Sequence, residues 1–221
     1  SAWEDGKAFR ADLPNLGNVF GKMEFGKMIA GCAAGLKTQT GQIGYLGPLV
    51  NDETRRLVNS AFLGAQYCAN EYRDGMDIEF SVNWIGFWFN IPGVTLDPTL
   101  VANDFFDGGA DVVLSGIDTT EALVVGGQRA AAGESVWAVP YDYEDACAEA
   151  PGICLGTPYF NWGPAYLDIV KSVIQDDFSA EWTWLDPNWD NLTDPDSGAI
   201  GWLSGDGLGD ASADLDKFID G

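Results

Sequence analysis

Apolar positions along most of the chain fall into two alternating periods. Glu24 to Leu36 is small and apolar with helical spacing, and Gln42 to Gly47 reads as a short apolar strand ending in a glycine turn. Asn51-Asp52-Glu53 offers an N-cap followed by acids. The helix that it predicts runs to about Tyr72, with Leu57, Ala61, Ala65 and Cys68 on one face. Ile78 to Phe87 predicts a strand closed by the Asn90-Ile91-Pro92-Gly93 turn. A helix from Asp97-Pro98 to about Phe106 follows, and Ala110 to Leu114 is a fully apolar run of the kind buried inside a parallel sheet. Thr119-Thr120-Glu121 opens another helix, Ser135 to Val139 the next strand, and Gly163 to Asp177 an amphipathic helix. From about Glu181 the alternation gives way to tryptophans scattered among Asp, Asn, Pro and Gly, with at most short strands.

Strands alternating with helices imply βαβ units, a parallel sheet and the α/β class. In such sheets ligands bind beyond the carboxyl ends of the strands. The segments at those ends are Gly47 to Asn51, Phe87 to Asn90, Gly116 to Thr119 and Tyr141 to Tyr143. Two of the four carry aromatic rings and two carry a carboxylate, which suits a flat molecule rich in hydrogen-bonding groups. The run Tyr159-Phe160-Asn161-Trp162-Gly163-Pro164 adds an aromatic strand end leading into a helix start, so Asn161 is expected at the same crevice. For Tyr166, one turn further on, packing between layers is the preferred role.

Composition narrows the chemistry. The 221 residues are 46% hydrophobic, enough to build a core, and include 34 acids against 11 bases for a net charge of −23. Residues 76–221 hold only three of the bases, Arg129, Lys171 and Lys217. Such a field disfavours nucleic acid and anionic membrane surfaces as partners. No histidine is present, which excludes His-dependent triads and His-ligated zinc. Gly126-Gly127 and Gly108-Gly109 make no dinucleotide fingerprint, and no P-loop lysine exists, so no cofactor is expected. No stretch approaches the roughly 18 apolar residues of a membrane span. Ser1 to Asp5 lack the basic and apolar regions of a signal peptide.

Several shorter patterns compete. Cys147 and Cys154 flank a Pro151-Gly152 turn that favours a disulfide and hence an oxidising compartment, whereas Cys32 and Cys68 fit either a second bridge or core thiols. Asp186-Pro-Asn188-Trp-Asp190 opens like a calcium loop but lacks the turn glycine and the closing acid. Asn191-Leu192-Thr193 matches a glycosylation sequon. Many Asp residues beside Trp also fit a secreted carbohydrate-active enzyme working through paired carboxyls.

The order and spacing of Gly31-Cys-Ala-Ala-Gly35, Gly41 to Gly47, Arg56 to Gly64, Val82 to Asn90, Gly108 to Val113, Ile117-Asp118-Thr119 and Phe160 to Pro164 resemble the basic membrane protein family. That family comprises ABC-transporter solute-binding lipoproteins and includes purine nucleoside receptors. The resemblance implies an extracytoplasmic, periplasmic or membrane-anchored protein that is not an enzyme and works with an ABC-transporter permease. It also implies a type I periplasmic-binding fold, with two α/β lobes closing on a purine base or nucleoside.

Carried over by position, Trp88 becomes the stacking aromatic, with Asn90 where the family has an acid. Asp118 and Thr119 take the next tip, Asp142 the one after it, and Phe160 and Asn161 the Trp-Asn or lysine-bearing position. Residues 1–40 are then a helix-bearing remnant of the N-terminal lobe, 41–160 the ligand-binding lobe, and 161–221 a crossover helix and a segment returning between lobes. Part of one lobe, with its second stacking aromatic, is missing from the pattern, to be supplied by a further segment or a second chain. No motif places Trp3 or Phe9 in that role. A sugar receptor on the same fold is the other reading of the site.

Overall fold

The computed structural model describes residues 13–221; Ser1 to Asp5, Trp3 and Phe9 lie outside them. The central sheet holds four parallel strands in the order β3-β2-β4-β5: β2 is Gln42–Gly47, β3 Glu79–Trp84, β4 Val112–Ser115 and β5 Trp137–Val139. The strand predicted over Ile78 to Phe87 stops at Trp84. Beyond it the chain turns at Gly86, whose φ of 104° is the left-handed conformation that glycine adopts without strain.

Side chains on the buried strands alternate between two helical layers. Ile43, Tyr45, Val112 and Leu114 pack with α1 (Met23–Lys37) and α2 (Asp52–Tyr72), whereas Leu46 and Val113 face α3 (Pro98–Asp107) and α4 (Glu121–Ala131). Asn51 caps α2 through a reciprocal pair with Thr54, and Asp97 caps α3. The result is a three-layer α/β sandwich, as the alternation implied.

The sheet continues through bridges from Ala138 to Cys154 and from Asp142 to Tyr159, which align β6 (Gly156–Phe160) parallel to β5. Strand β8 (Ile200–Ser204) then pairs antiparallel with β6, and α6 (Ser212–Asp220) buries Leu215 in the α1–α2 layer. Beside the β6–β8 pair, β1 (Asn18–Gly21) and β7 (Trp182–Leu185) form a two-stranded parallel pair, with Phe20 packed edge-on to Phe160.

Helix α1, expected in the 1–40 segment, packs into the sandwich against α2. The two backbones approach so closely that a Cβ on Gly31 would overlap the Ala61 carbonyl. One on Gly35 would overlap that of Ala65, and one on Gly64 that of Met28. Disulfides join Cys32 to Cys68 across this helix pair and Cys147 to Cys154 across the predicted turn.

Helix α5 (Gly163–Ile174) buries no residue, and Leu167, Val170, Val173 and Ile174 are exposed along it. Tyr166 stacks on Trp162 but is 56% exposed, so it does not pack two layers together.

Gly31→Ala should destabilise the fold by the roughly 1–3 kcal/mol typical of overpacking. At about 2–4 °C per kcal/mol, thermal melting should show a loss of several degrees. A variant melting with the wild type would show that the helices can separate freely.

Candidate functional site at the strand tips

Strand β2 leads to β3 on one side and to β4 on the other, so the order of connection reverses between β2 and β4. Ligands bind at such a switch point, outside the carboxyl ends of the strands. Here the loop after β2 delivers Glu53 in the first turn of α2, and the loop after β4 delivers Asp118. The adjoining tip of β5 supplies Tyr141 and Asp142.

Trp88 lies in the loop between β3 and α3, half-buried, and its carbonyl accepts the backbone N–H of Asp118 at 2.9 Å. This bond ties the indole-bearing loop to the first acid. Asp118 is exposed, and its carboxyl is pushed up to about 6, first by desolvation and then by the charge of Asp142, with Lys27 opposing. Asp142 is half-buried and also raised by desolvation, again opposed by Lys27.

The Asp142 backbone has a φ of 88°, in the left-handed region that non-glycine residues rarely occupy. It is held there by N–H donation to Pro158 O and by acceptance from Phe160 N, both at 3.2 Å.

Other predicted residues are engaged differently. The Asn90 Oδ1 accepts from the Thr95 hydroxyl at 3.2 Å, closing its own loop. Thr119 turns toward a cavity of about 270 Å³ that it lines with Thr99, Glu121 and Gln128; its buried hydroxyl has no hydrogen-bond partner among the described residues. Phe160 stacks on Trp162 with centroids 4.7 Å apart and packs with Met23, Leu57, Tyr141 and Ile200. The Asn161 Nδ2 donates to the carbonyls of Asp194, Pro195 and Ser197 at 3.1–3.2 Å, pinning the loop before β8. In the Asp186–Asp190 segment, the Asp186 carboxylate is paired with Lys22 at 2.7 Å.

Three members of the site escaped the sequence reading. Lys27 of α1 is 1% exposed, Tyr45 of β2 is 1% exposed, and Glu53 is 5% exposed. Burial raises the Glu53 carboxyl against the pull of Arg56, and raises both Tyr45 and Tyr141. The available signal was a single lysine inside an otherwise apolar helical face. Glu53 gave none, because an acid in a first helical turn is ordinary dipole complementation.

The sandwich has the fold of the periplasmic-binding-protein type. An ABC-transporter solute-binding protein from Aeropyrum pernix superposes with a TM-score of 0.69 at 15% identity, over 86% of this chain and 50% of that one. Another from Conexibacter woesei gives 0.60 at 16% identity, over 95% and 64%. Residues 4–186 match the family model described as PnrA-like ABC transporter substrate-binding protein, and the chain belongs to that family. Curated relatives include a purine-binding protein of Brucella abortus, 28% identical over 72% of this chain and 41% of its own length. A putative ABC transporter glucose-binding protein of Haloferax volcanii is 26% identical over 77% and 39%. The chain thus spans about two fifths of the length of these relatives.

Because the Asp118 carboxyl titrates above its ordinary 3.8, the folded protein holds that proton more tightly than the unfolded chain. Ionising it therefore costs stability as pH rises from about 4 to about 6. Asp118→Asn should raise the melting temperature at pH 7.5 and leave it nearly unchanged at pH 3. An equal change at both pH values would contradict this origin.

Proposed function

We propose that the strand tips form one wall of the ligand cleft of an ABC importer's solute-binding protein, facing outside the cytoplasmic membrane, and that the cleft takes a purine base or nucleoside. The backbone bond from Asp118 N–H to the Trp88 carbonyl carries this reading, since it joins the loop that bears the indole to the loop that bears the first acid. A purine would lie on the indole face while Asp118 and Asp142 accept from its N–H groups or from ribose hydroxyls. The Brucella relative's purine binding supports the choice of ligand. The permease is the partner of the closed, loaded form. Binding and release are the whole task, and no bond of the ligand is broken.

A sugar is the second reading. The Haloferax relative favours it, and aromatic platforms beside carboxylates also suit pyranose rings.

Calorimetric titration of the full-length protein with adenine, adenosine, guanosine and glucose separates the two. Saturable purine binding with no sugar response is expected; the reverse rejects the purine. Trp88→Ala should weaken purine binding by about 1–3 kcal/mol, the contribution of one stacked base. Unchanged affinity removes Trp88 from the site.

A further inference from the structure

The most deeply buried charge in the described molecule lies behind the tips. Lys27 extends from α1 under the sheet edge, where its Nζ donates to the Ser115 carbonyl at 2.6 Å, at the end of β4. The same ammonium sits 3.6 Å from the centroid of the Tyr141 ring, at the end of β5, and 5.7 Å from that of Tyr45 on β2. Three neighbouring strands therefore meet on one cation. Its neighbours on the inward face of α1 are Met23, Gly26, Ile29 and Ala30, so packing alone does not call for a lysine there.

We propose that Lys27 is the positioning residue of the strand-tip site, joining the ends of β4 and β5 from inside and holding Asp118 and Asp142 ready as hydrogen-bond acceptors for the ligand. The proposal rests on the reading that the ligand lies at these tips. Lys27 itself is sealed from the cleft and touches no ligand. Burial weakens its hold on its proton, while the carboxylates of Asp142 and Asp118 strengthen it. The lysine in turn opposes protonation of both acids. The other titratable groups around the cluster are Tyr45 from β2, Tyr141 beside Asp142, and Glu53 from α2, which faces Asp118, Arg56 and Glu24.

The test is a carboxyl-carbon NMR titration of the ligand-free protein, wild type against Lys27→Met, with melting curves confirming the fold. The midpoints of Asp118 and Asp142 should move upward by roughly one unit, the size of a neighbouring opposite charge. Adenosine binding by the variant should fall about tenfold at pH 5 and about twofold at pH 7 relative to the wild type, with its loss in acid displaced to higher pH. Lys27→Gln, which keeps a donor for Ser115 and loses the charge, should reproduce the midpoint shift if Lys27→Met fails to fold. In the wild type, the Lys27 side-chain nitrogen should remain an ammonium at pH 7. Unmoved midpoints, or a neutral lysine at pH 7, overturn the proposal even if affinity drops. A wild type indifferent to purines but showing the midpoint shift rejects only the ligand assignment.

Discussion

Helices α1 and α2 meet backbone to backbone, and that distance sets where everything at the strand tips can stand. Gly31, Gly35 and Gly64 leave no Cβ between the two helices, and the Cys32–Cys68 bridge links the same pair. With α1 drawn this close, it lies across the sheet deeply enough for Lys27 to reach the last carbonyl of β4. Moving α1 would move the root of the lysine whose ammonium meets Ser115 and the face of Tyr141. The spacing of two small-residue helices and the electrostatics of the site are therefore a single problem.

At the strand tips, Asp118 is exposed while Trp88 and Asp142 are half-buried. Stacking on one ring contributes about 1–3 kcal/mol, whereas the loss of free motion on association costs about 4–15 kcal/mol. A single aromatic wall cannot hold a ligand, which suits a clamp built from two lobes. The bare apolar face of α5 exposes surface of the kind that proteins ordinarily cover.

Much of the sandwich was legible because its signals are local. The apolar run at Val112–Ser115, the Asn51 and Asp97 caps and the glycine turns each declare an element within a few residues. The strand ending at Trp84 was overrun because Ile85 to Phe87 remain apolar while the backbone has already turned. The tips were legible in outline, since the topology of a parallel sheet dictates which loops converge.

What each tip residue does there was not legible. Asn161 serves the loop before β8 and Phe160 packs with Met23, Leu57 and Ile200, roles set by contacts more than thirty residues away in sequence. Lys27 and Glu53 were missed for the same reason. A charge on a helix looks solvent-facing until the partner elements that bury it are known.

The left-handed backbone at Asp142 has an evolutionary corollary. Only glycine, asparagine and aspartate sit there cheaply, so mutation can exchange this acid at little cost for an amide or for no side chain at all. Bulky, branched or basic replacements meet a conformational barrier before any selection on function begins. Replacement at this tip is thereby confined to side chains that are acidic, amidic or absent, and a positive charge is kept out of it.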